Sequence, residues 1–574
     1  SGDMGDERGP DPVVGLIRAL GVVEKGGEGE GGDTLAKEMR RVIRATWQNA
    51  SAPARVLNRL TEVLGPQLNR WDYAGELCER LLRIDPARAE LWLRRIEIAL
   101  QRPGQDDVMA VLKRIKSAAG PRREAFERVR EVWLETGEVE RLPEAREVLG
   151  LPEKPRTAAE AWLRFEESLS ALDFAGARDF LDLYLDASGS TVEAHRQGIG
   201  VLSDIGWRGE ARRRFEEASQ IHPEDNQIRW FGLHLDLMDP QSRPATLSRV
   251  YEFVSRVGVA PRGTDDAPGV EVLIQLLSGE ELIRVAEAAS RNIRSLADIH
   301  ILRAVGFARK GELKALRKEI AFLDNEGLDV PESLLILVRE VAREGIEDVA
   351  LELFTKVRRW SGFLLGSRHL ISVLDDLVST QSLPEEKLRV VGRIGVVVTE
   401  EYLKVSGPGV ASTTSLATFK NAAGSPEDAV LAYSLLAERV PGEASTLNNL
   451  AYHNAVTGTQ LREGLVMVNA ALKMEPAGAP FYLDTRGWLF YRLGDMEKAE
   501  RDVGASLRLT PLLRGISSAE AHAHAAEIAL KKGEVDKACR HALRVKLLEP
   551  SAAIGRRADI ILQGVFDNPA AQRD

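Results

Sequence analysis

Apolar and polar positions follow a helical period over most of the chain, and the clearest stretch runs from Pro480 to Pro511. Small and apolar residues recur there at three- and four-residue spacing, which is the pattern of one helix face. They are Leu483, Gly487 and Phe490 before the dipeptide Gly494-Asp495, and Ala499, Val503 and Ser506 after it. The stretch therefore predicts two amphipathic helices joined by a tight turn.

Gly487 and Ala499 are small residues, one on each predicted helix. A small residue lets two helix backbones approach closely, whereas a bulky one would hold them apart. This order of small and large positions resembles the tetratricopeptide repeat (TPR), a helix-turn-helix unit of about 34 residues. The resemblance implies antiparallel helix pairs that stack side by side.

Similar units occur elsewhere in the chain. Residues 191–224 repeat the same spacing around Gly206, and residues 410–552 contain three more units beside the one already described. The predicted turns of those three units lie at Gly424, between Thr457 and Leu461, and at Gly533. The sequence therefore predicts an all-α fold, a right-handed α-solenoid of antiparallel helix pairs (a TPR-like superhelix) in two or three arcs, without a β-sheet.

Breaks in the pattern predict six segments. They are a disordered acidic, glycine-rich tail at 1–33, N-terminal helical repeats at 34–150, TPR-like repeats at 158–260, divergent helical repeats at 270–405, a C-terminal TPR array at 410–552 and a capping helix at 553–566. The loop at 261–269, rich in proline and glycine, predicts a hinge or an insertion. The number of repeats between 230 and 405 stays open.

Chain length, net charge and apolar content exclude several classes of protein and of partner. A chain of 574 residues is too long for one compact core, unless it grows along one axis as repeat arrays do. Its net charge of -10 argues against a nucleic-acid partner, because phosphates require a concentrated basic face. No apolar run reaches the roughly 20 residues of a membrane span, so direct membrane insertion is not expected.

Cys78 and Cys539 lie far apart in the sequence and are expected to be packed thiols, not a disulfide or a zinc site. The use of arginine, alanine and glycine is typical of a GC-rich bacterium, and both cytoplasm and periplasm remain open. A signal peptide, a lipid anchor or an upstream domain before Ser1 is an open alternative, and the oligomeric state is also open.

No motif for catalysis or cofactor binding is found. Phosphate-binding GxxxxGK[ST], the GxSxG elbow and the zinc motif HExxH are all absent, so neither an enzyme nor a cofactor is expected. His522 and His524 are two residues apart on a predicted helix and point about 200° apart, so they cannot share a metal ion. We expect His522 to be a core imidazole with a satisfied hydrogen bond.

The TPR resemblance implies a function and a site. In TPR proteins the first helix of each unit lines a concave groove that holds a peptide or a partner helix. The matching positions here include Asn448, Asn449, Tyr452, Asp484, Trp488, Tyr491, Arg492, His524 and Glu527, as well as Val456 and Leu530. Exposed aromatic rings among polar groups are typical of interaction hot spots. Alternatively, Trp488 and Tyr491 fill gaps between adjacent units.

Some TPR domains bind a C-terminal carboxylate with lysine, asparagine and arginine. Here Asn448, Tyr452, Glu520 and His524 occupy those positions, so a receptor of that type is not expected. The resemblance implies a non-catalytic scaffold that binds a protein or peptide. The alternative is a regulatory or substrate-presenting module of a larger enzyme or of a secretion or assembly system.

Overall fold

The computed structural model describes residues 71–102, 107–260, 267–291, 296–325, 331–360, 363–379, 383–407, 409–425, 428–429, 431–432, 443–512, 517–549, 555 and 558–562. The predicted tail at 1–33 and the loop residues 261–266 lie outside these ranges. Two compact units are present. Unit 1 comprises Ser1–Lys154, Glu475–Pro480 and Gly504–Ile516, and unit 2 comprises Pro155–Met474, Phe481–Val503 and Ser517–Asp574.

The described elements are helices. The first five are α1 (Trp71–Ile84), α2 (Ala89–Leu100), α3 (Val108–Ser117), α4 (Arg122–Thr136) and α5 (Leu142–Leu149). The next eight are α6 (Ala158–Ser170), α7 (Phe174–Ala187), α8 (Val192–Asp204), α9 (Arg208–Ile221), α10 (Asn226–Leu237), α11 (Arg243–Val257), α12 (Val270–Leu276) and α13 (Gly279–Ala289).

The remaining helices complete the repeats. They are α14 (Leu296–Lys310), α15 (Leu313–Asn325), α16 (Pro331–Arg343), α17 (Glu347–Trp360), α18 (Phe363–Ser379), α19 (Glu385–Ser406), α20 (Val410–Ala422), α21 (Ala444–Thr457), α22 (Leu461–Met474), α23 (Ala479–Leu493), α24 (Met496–Leu509), α25 (Ala519–Lys532) and α26 (Val535–Leu548). Short 3-10 turns lie at Val139–Arg141, Pro476–Gly478 and Thr510–Leu512.

The all-α prediction is confirmed. No strand occurs in the described residues, where an isolated β-bridge joins Ala260 and Gly269. The boundaries of the six predicted segments stay a prediction. Within the same described ranges, no helix combines the length and the apolar character that crossing a membrane requires.

Local sequence signals explain where helices begin and end. The Asp225 carboxylate accepts a hydrogen bond from the Ile228 amide at 2.9 Å and so caps the start of α10. Ser278 and Glu281 form a reciprocal capping box at the start of α13. Gly494 ends α23 with a φ of 87°, a left-handed conformation that glycine adopts without strain.

The predicted pair around Gly487 forms as expected. A Cβ atom at position 487 would lie 2.6 Å from Val503 Cγ2 and 3.1 Å from the Ala499 carbonyl oxygen. Within residues 481–503, the backbone of α23 at position 487 therefore lies so close to α24 that only glycine fits there. This close approach is the structural reason for the small residues in the sequence pattern.

The buried core of unit 2 is distributed unevenly. One apolar cluster extends from Trp230 to Phe419, through α10 to α20. A second cluster lies around Trp488 and Leu489 and includes residues of α21, α22 and α23. A third joins residues of α6 to α10 with Ala523 on α25, several residues of α26, and Ala558 and Leu562 near the end of the chain.

Candidate interaction groove

The first helices of three successive repeats, α21, α23 and α25, carry the predicted groove residues. Four of those residues form a compact group. The Trp488 ring stacks on Tyr491 at 4.6 Å between centroids and on the His524 imidazole at 4.2 Å. His524 Nδ1 lies 3.0 and 3.1 Å from the two carboxylate oxygens of Asp484. We call Asp484, Trp488, Tyr491 and His524 the inner stack.

The inner stack is mostly inaccessible to solvent. Trp488 is 6% exposed and His524 is 3% exposed, and Asp484 is also buried. The tryptophan therefore fills the space between α23 and α25, as the alternative in the sequence analysis described. Little of its ring is left for a partner, and partner binding by Trp488 stays a prediction.

Electrostatics hold His524 to Asp484. Burial alone would lower the pKa of His524, but the nearby Asp484 carboxylate outweighs burial, and the pKa is raised above its usual value. Because a carboxylate only accepts hydrogen bonds, Nδ1 of His524 must carry the proton in this contact. On the neighbouring surface, the Tyr452 hydroxyl donates to the Glu520 carboxylate and so links α21 with α25.

Arg492 caps the C-terminal end of α21. Its Nη1 donates to the carbonyl oxygens of Ala455 at 2.7 Å and Val456 at 2.9 Å, at the C-terminal end of α21. A cation there satisfies carbonyl groups that lack partners within the helix and favours the negative end of the helix dipole. This role of Arg492 was not predicted from the sequence.

Arg309 shows that this role recurs. Like Arg492, it lies two residues before a turn glycine, and its Nη1 donates to the carbonyl oxygens of Ile274 at 2.8 Å and Leu277 at 2.6 Å. The arginine followed two positions later by glycine was the signal that could have revealed the role. At both positions the arginine side chain attaches one first helix to the end of the preceding one.

The two predicted asparagines, Asn448 and Asn449, lie on α21. Asn449 Nδ2 donates to Thr414 Oγ1 at 3.2 Å, so its amide connects neighbouring repeats. Asn448 is buried, and within the described residues its Oδ1 has no hydrogen-bond donor. Glu527 is half-buried on α25 and its negative charge contributes to the raised pKa of His524.

Three large apolar side chains remain exposed at the C-terminal ends of these same helices. Val456 on α21 is 39% exposed, Leu493 on α23 is 41% exposed and Leu530 on α25 is 42% exposed. We call them the terminal edge. Val456 and Leu530 occupy groove positions of the repeat pattern, whereas Leu493 does not and was not predicted, although it lies directly before the turn glycine Gly494.

The remaining candidate residues for chemistry are packed in the interior. His522 is fully buried, and its Nδ1 lies 2.9 Å from Nδ1 of His541, so one imidazole donates to the other. The Cys78 thiol donates to the Leu91 carbonyl at 3.3 Å, and burial raises its pKa to about 12. Across the described part of the chain, no group of three or more His, Cys, Asp or Glu side chains is placed to hold a metal ion.

Comparisons with known proteins find likeness in structure alone. No family model and no curated protein matches the chain. The APC/C hetero-tetramer Cut9-Hcn1 aligns at 12% identity with a TM-score of 0.26, over 91% of this chain and 98% of that chain. Yeast Tom70 aligns at 12% identity with a TM-score of 0.30, over 91% of this chain and 97% of that chain.

A third solved structure is a plant protein. The pentatricopeptide repeat protein PPR10 from maize aligns at 14% identity with a TM-score of 0.32, over 98% of this chain and 91% of that chain. Likenesses at these identities and TM-scores do not bear on what this chain binds.

Proposed function

We propose that this protein is a non-catalytic scaffold that binds a partner protein or peptide through the terminal edge. The main support is that Val456, Leu493 and Leu530 expose apolar surface at the ends of three neighbouring first helices. Clustered apolar side chains on a protein surface are typical of protein-interaction sites.

The surroundings make the terminal edge a prearranged surface. Arg492 attaches α23 to the end of α21, and the Asp484–His524 contact attaches α25 to α23. A surface whose helices are already held in place loses little conformational entropy on binding. The contacts of the inner stack would therefore hold the helices in position, while the side chains of the terminal edge would contact the partner.

The charges around the terminal edge favour one class of partner. Lys531 is exposed next to Leu530, and Arg492 lies next to Leu493. A partner segment with apolar side chains flanked by acidic groups would complement this arrangement, and the flanking charges would mainly speed association. The proposed ligand is thus an apolar peptide segment with acidic flanks.

Site-specific photocrosslinking tests the proposal. A benzophenone amino acid at Leu530 should give a discrete crosslinked partner in the host cell. The same amino acid at Val466, which is 70% exposed on α22, is the matched control and should give none. Leu493→Asp should abolish the adduct formed at Leu530 with helicity unchanged. Equal crosslinking at both positions, or none at Leu530, would count against the terminal edge.

A further inference from the structure

A small cavity lies between the start of α9 and the end of α10, within unit 2. Its volume is about 360 Å³, which is at the small end of the range of ligand pockets. α9 contributes Arg208 and Arg212 to the walls, and α10 with the turn after it contributes Leu235, Met238 and Pro240. Walls of this kind suit a small molecule that has one charged part and one apolar part.

Arg208 brings a positive charge to the cavity that no acidic side chain neutralises. Its side chain is exposed, and the described part of the chain places no carboxylate within ion-pair distance of it. Burial and the charge of Arg208 both lower the pKa of His234 on α10, so this imidazole is neutral at physiological pH. The guanidinium of Arg208 is therefore available to donate hydrogen bonds to an anion.

The acidic groups around the cavity are already engaged. Asp236 accepts from two arginines, since Arg212 Nη2 lies 2.6 Å from one carboxylate oxygen and Arg249 Nη1 lies 2.9 Å from the other. Asp239 lines the cavity and accepts a hydrogen bond from the Ser242 hydroxyl at 2.8 Å. With Arg208, three arginines surround two carboxylates. This excess of one positive charge suits a monoanion better than a dianion.

The first turn of α9 leaves room for a ligand at Gly209, which also lines the cavity. A Cβ atom at this position would have no neighbour within 4 Å. Trp207 precedes the helix and supplies no side-chain acceptor to the amides of the first turn. Amides at the start of a helix favour negative charge, so the backbone adds to the preference that Arg208 creates.

We propose that this cavity binds a small apolar molecule that carries one carboxylate. The Arg208 guanidinium donates charge-assisted hydrogen bonds to the carboxylate. Leu235, Met238 and Pro240 contact the apolar part, and the flexible thioether side chain of Met238 adapts to its shape. The proposal does not depend on the terminal edge, because the two sites lie on different helices.

Methyl NMR of the intact chain tests the proposal, because Met238 is one of seven methionines and lines the cavity. The methionine methyl groups are labelled with 13C, and Met238→Leu identifies the Met238 signal. Two probes with the same apolar part are titrated, the monoanion 4-phenylbutyrate and the neutral 4-phenyl-1-butanol. The Met238 signal should shift with 4-phenylbutyrate, which should bind about tenfold or more tightly than the alcohol. No shift with 4-phenylbutyrate, or equal affinity for both probes, would overturn the proposal.

Matched variants examine the contribution of each wall. Arg208→Gln should weaken 4-phenylbutyrate binding about tenfold or more and leave alcohol binding unchanged. Arg229→Gln is the control, because Arg229 also lies near the cavity in sequence but pairs with Glu224 at 2.8 Å, and it should change neither affinity. Gly209→Leu should fill the cavity and abolish the shift with both probes. Equal weakening by the two arginine variants would refute the role of Arg208. The two-probe titration of the wild-type chain decides the proposal if a variant does not fold.

Discussion

The middle repeats and the C-terminal repeats of unit 2 consist of similar helix pairs that are joined in different ways. One apolar cluster extends from Trp230 to Phe419. From α21 onward the described apolar residues lie in separate clusters, among them one around Trp488, one shared with α6 to α10 and a small one that joins Leu450 to Ala417 and Ala429. One local helix-pair pattern can therefore produce either a continuous apolar block or repeats that meet at separate joints.

Buried polar contacts alone do not cause this difference. The middle repeats also contain them: His300 Nδ1 lies 2.6 Å from Glu319, and Arg309 lies 2.9 Å from Glu340. Those contacts lie beside an uninterrupted apolar core, whereas the Asp484–His524 contact bridges two cores. Continuity of apolar packing therefore decides which repeats unfold together.

The largest effect is expected from a truncation in the continuous core. Leu337 on α16 is fully buried there. Leu337→Ala should lower the free energy of unfolding by about 3 kcal/mol, because it removes apolar contact and leaves a cavity. Urea unfolding followed by circular dichroism measures the change, and Leu365→Ala at an exposed site is the control. Hydrogen exchange that increases in α16 alone, with α14 and α17 unchanged, would contradict a continuous block.

A second prediction concerns the close helix pair in the C-terminal repeats. Gly487→Ala should destabilise the protein by about 2 kcal/mol, because the new methyl group would overlap Val503. The control is Gly209→Ala, where a Cβ atom has no neighbour within 4 Å. It should be neutral or stabilising, since alanine favours helix over glycine. Equal melting temperatures for the two variants would refute the close approach at Gly487.

A third prediction addresses the arginine that attaches α23 to α21. Arg492→Ala should cost about 1 kcal/mol, because two carbonyl groups at the end of α21 lose a charged donor. Hydrogen exchange should rise in α21 but not in the middle repeats. Arg462→Ala, at an exposed arginine on α22, is the comparison variant. If it has the same effect, the role assigned to Arg492 is wrong.

The smallest expected effect is a pH dependence of local stability that has opposite signs around His524 and around His195. The pKa of His524 is raised by Asp484 against the effect of burial. Its stabilising contribution is therefore fully present below about pH 6.5, the ordinary value of the unfolded state, and is lost as pH rises through the folded-state pKa. Burial, aided by His222, lowers the pKa of His195, so the contribution of His195 is lost as pH falls.

Hydrogen exchange between pH 6 and pH 8, corrected for the intrinsic rate, measures this dependence. Residues 519–548 should open more readily at pH 8 than at pH 6, and Asp484→Asn should remove most of the difference. Residues 192–204 should show the opposite trend. A dependence of the same sign in both segments would contradict the assigned environments.

Much of the fold could be predicted from the sequence, because helix pairs depend on local spacing. The periods on both sides of Gly494, and the close approach at Gly487, are properties of neighbouring residues. Whether Trp488 is exposed or buried could not be predicted, because an indole ring at that position can either line a groove or fill a gap between repeats. In the structure the ring is buried because it stacks on the imidazole of His524, which lies on the first helix of the next repeat.

Contacts distant in sequence also escaped prediction. The packing of α26 on α6 and α8 joins segments that are separated by most of unit 2. No periodic pattern specifies such a pairing, since the same apolar face could pack on any complementary surface. Leu493 was missed for another reason: the groove positions of the repeat pattern include Val456 and Leu530 but not this residue at the end of α23.

Hydrogen–deuterium exchange of the intact chain distinguishes repeats that meet at separate joints from repeats that form one cooperative block. We expect residues 519–548 to lose protection together at a urea concentration at which α13 to α16 remain protected. Simultaneous loss of protection in both regions, at one urea midpoint, would show that the C-terminal hairpin belongs to the same cooperative block and would contradict the account.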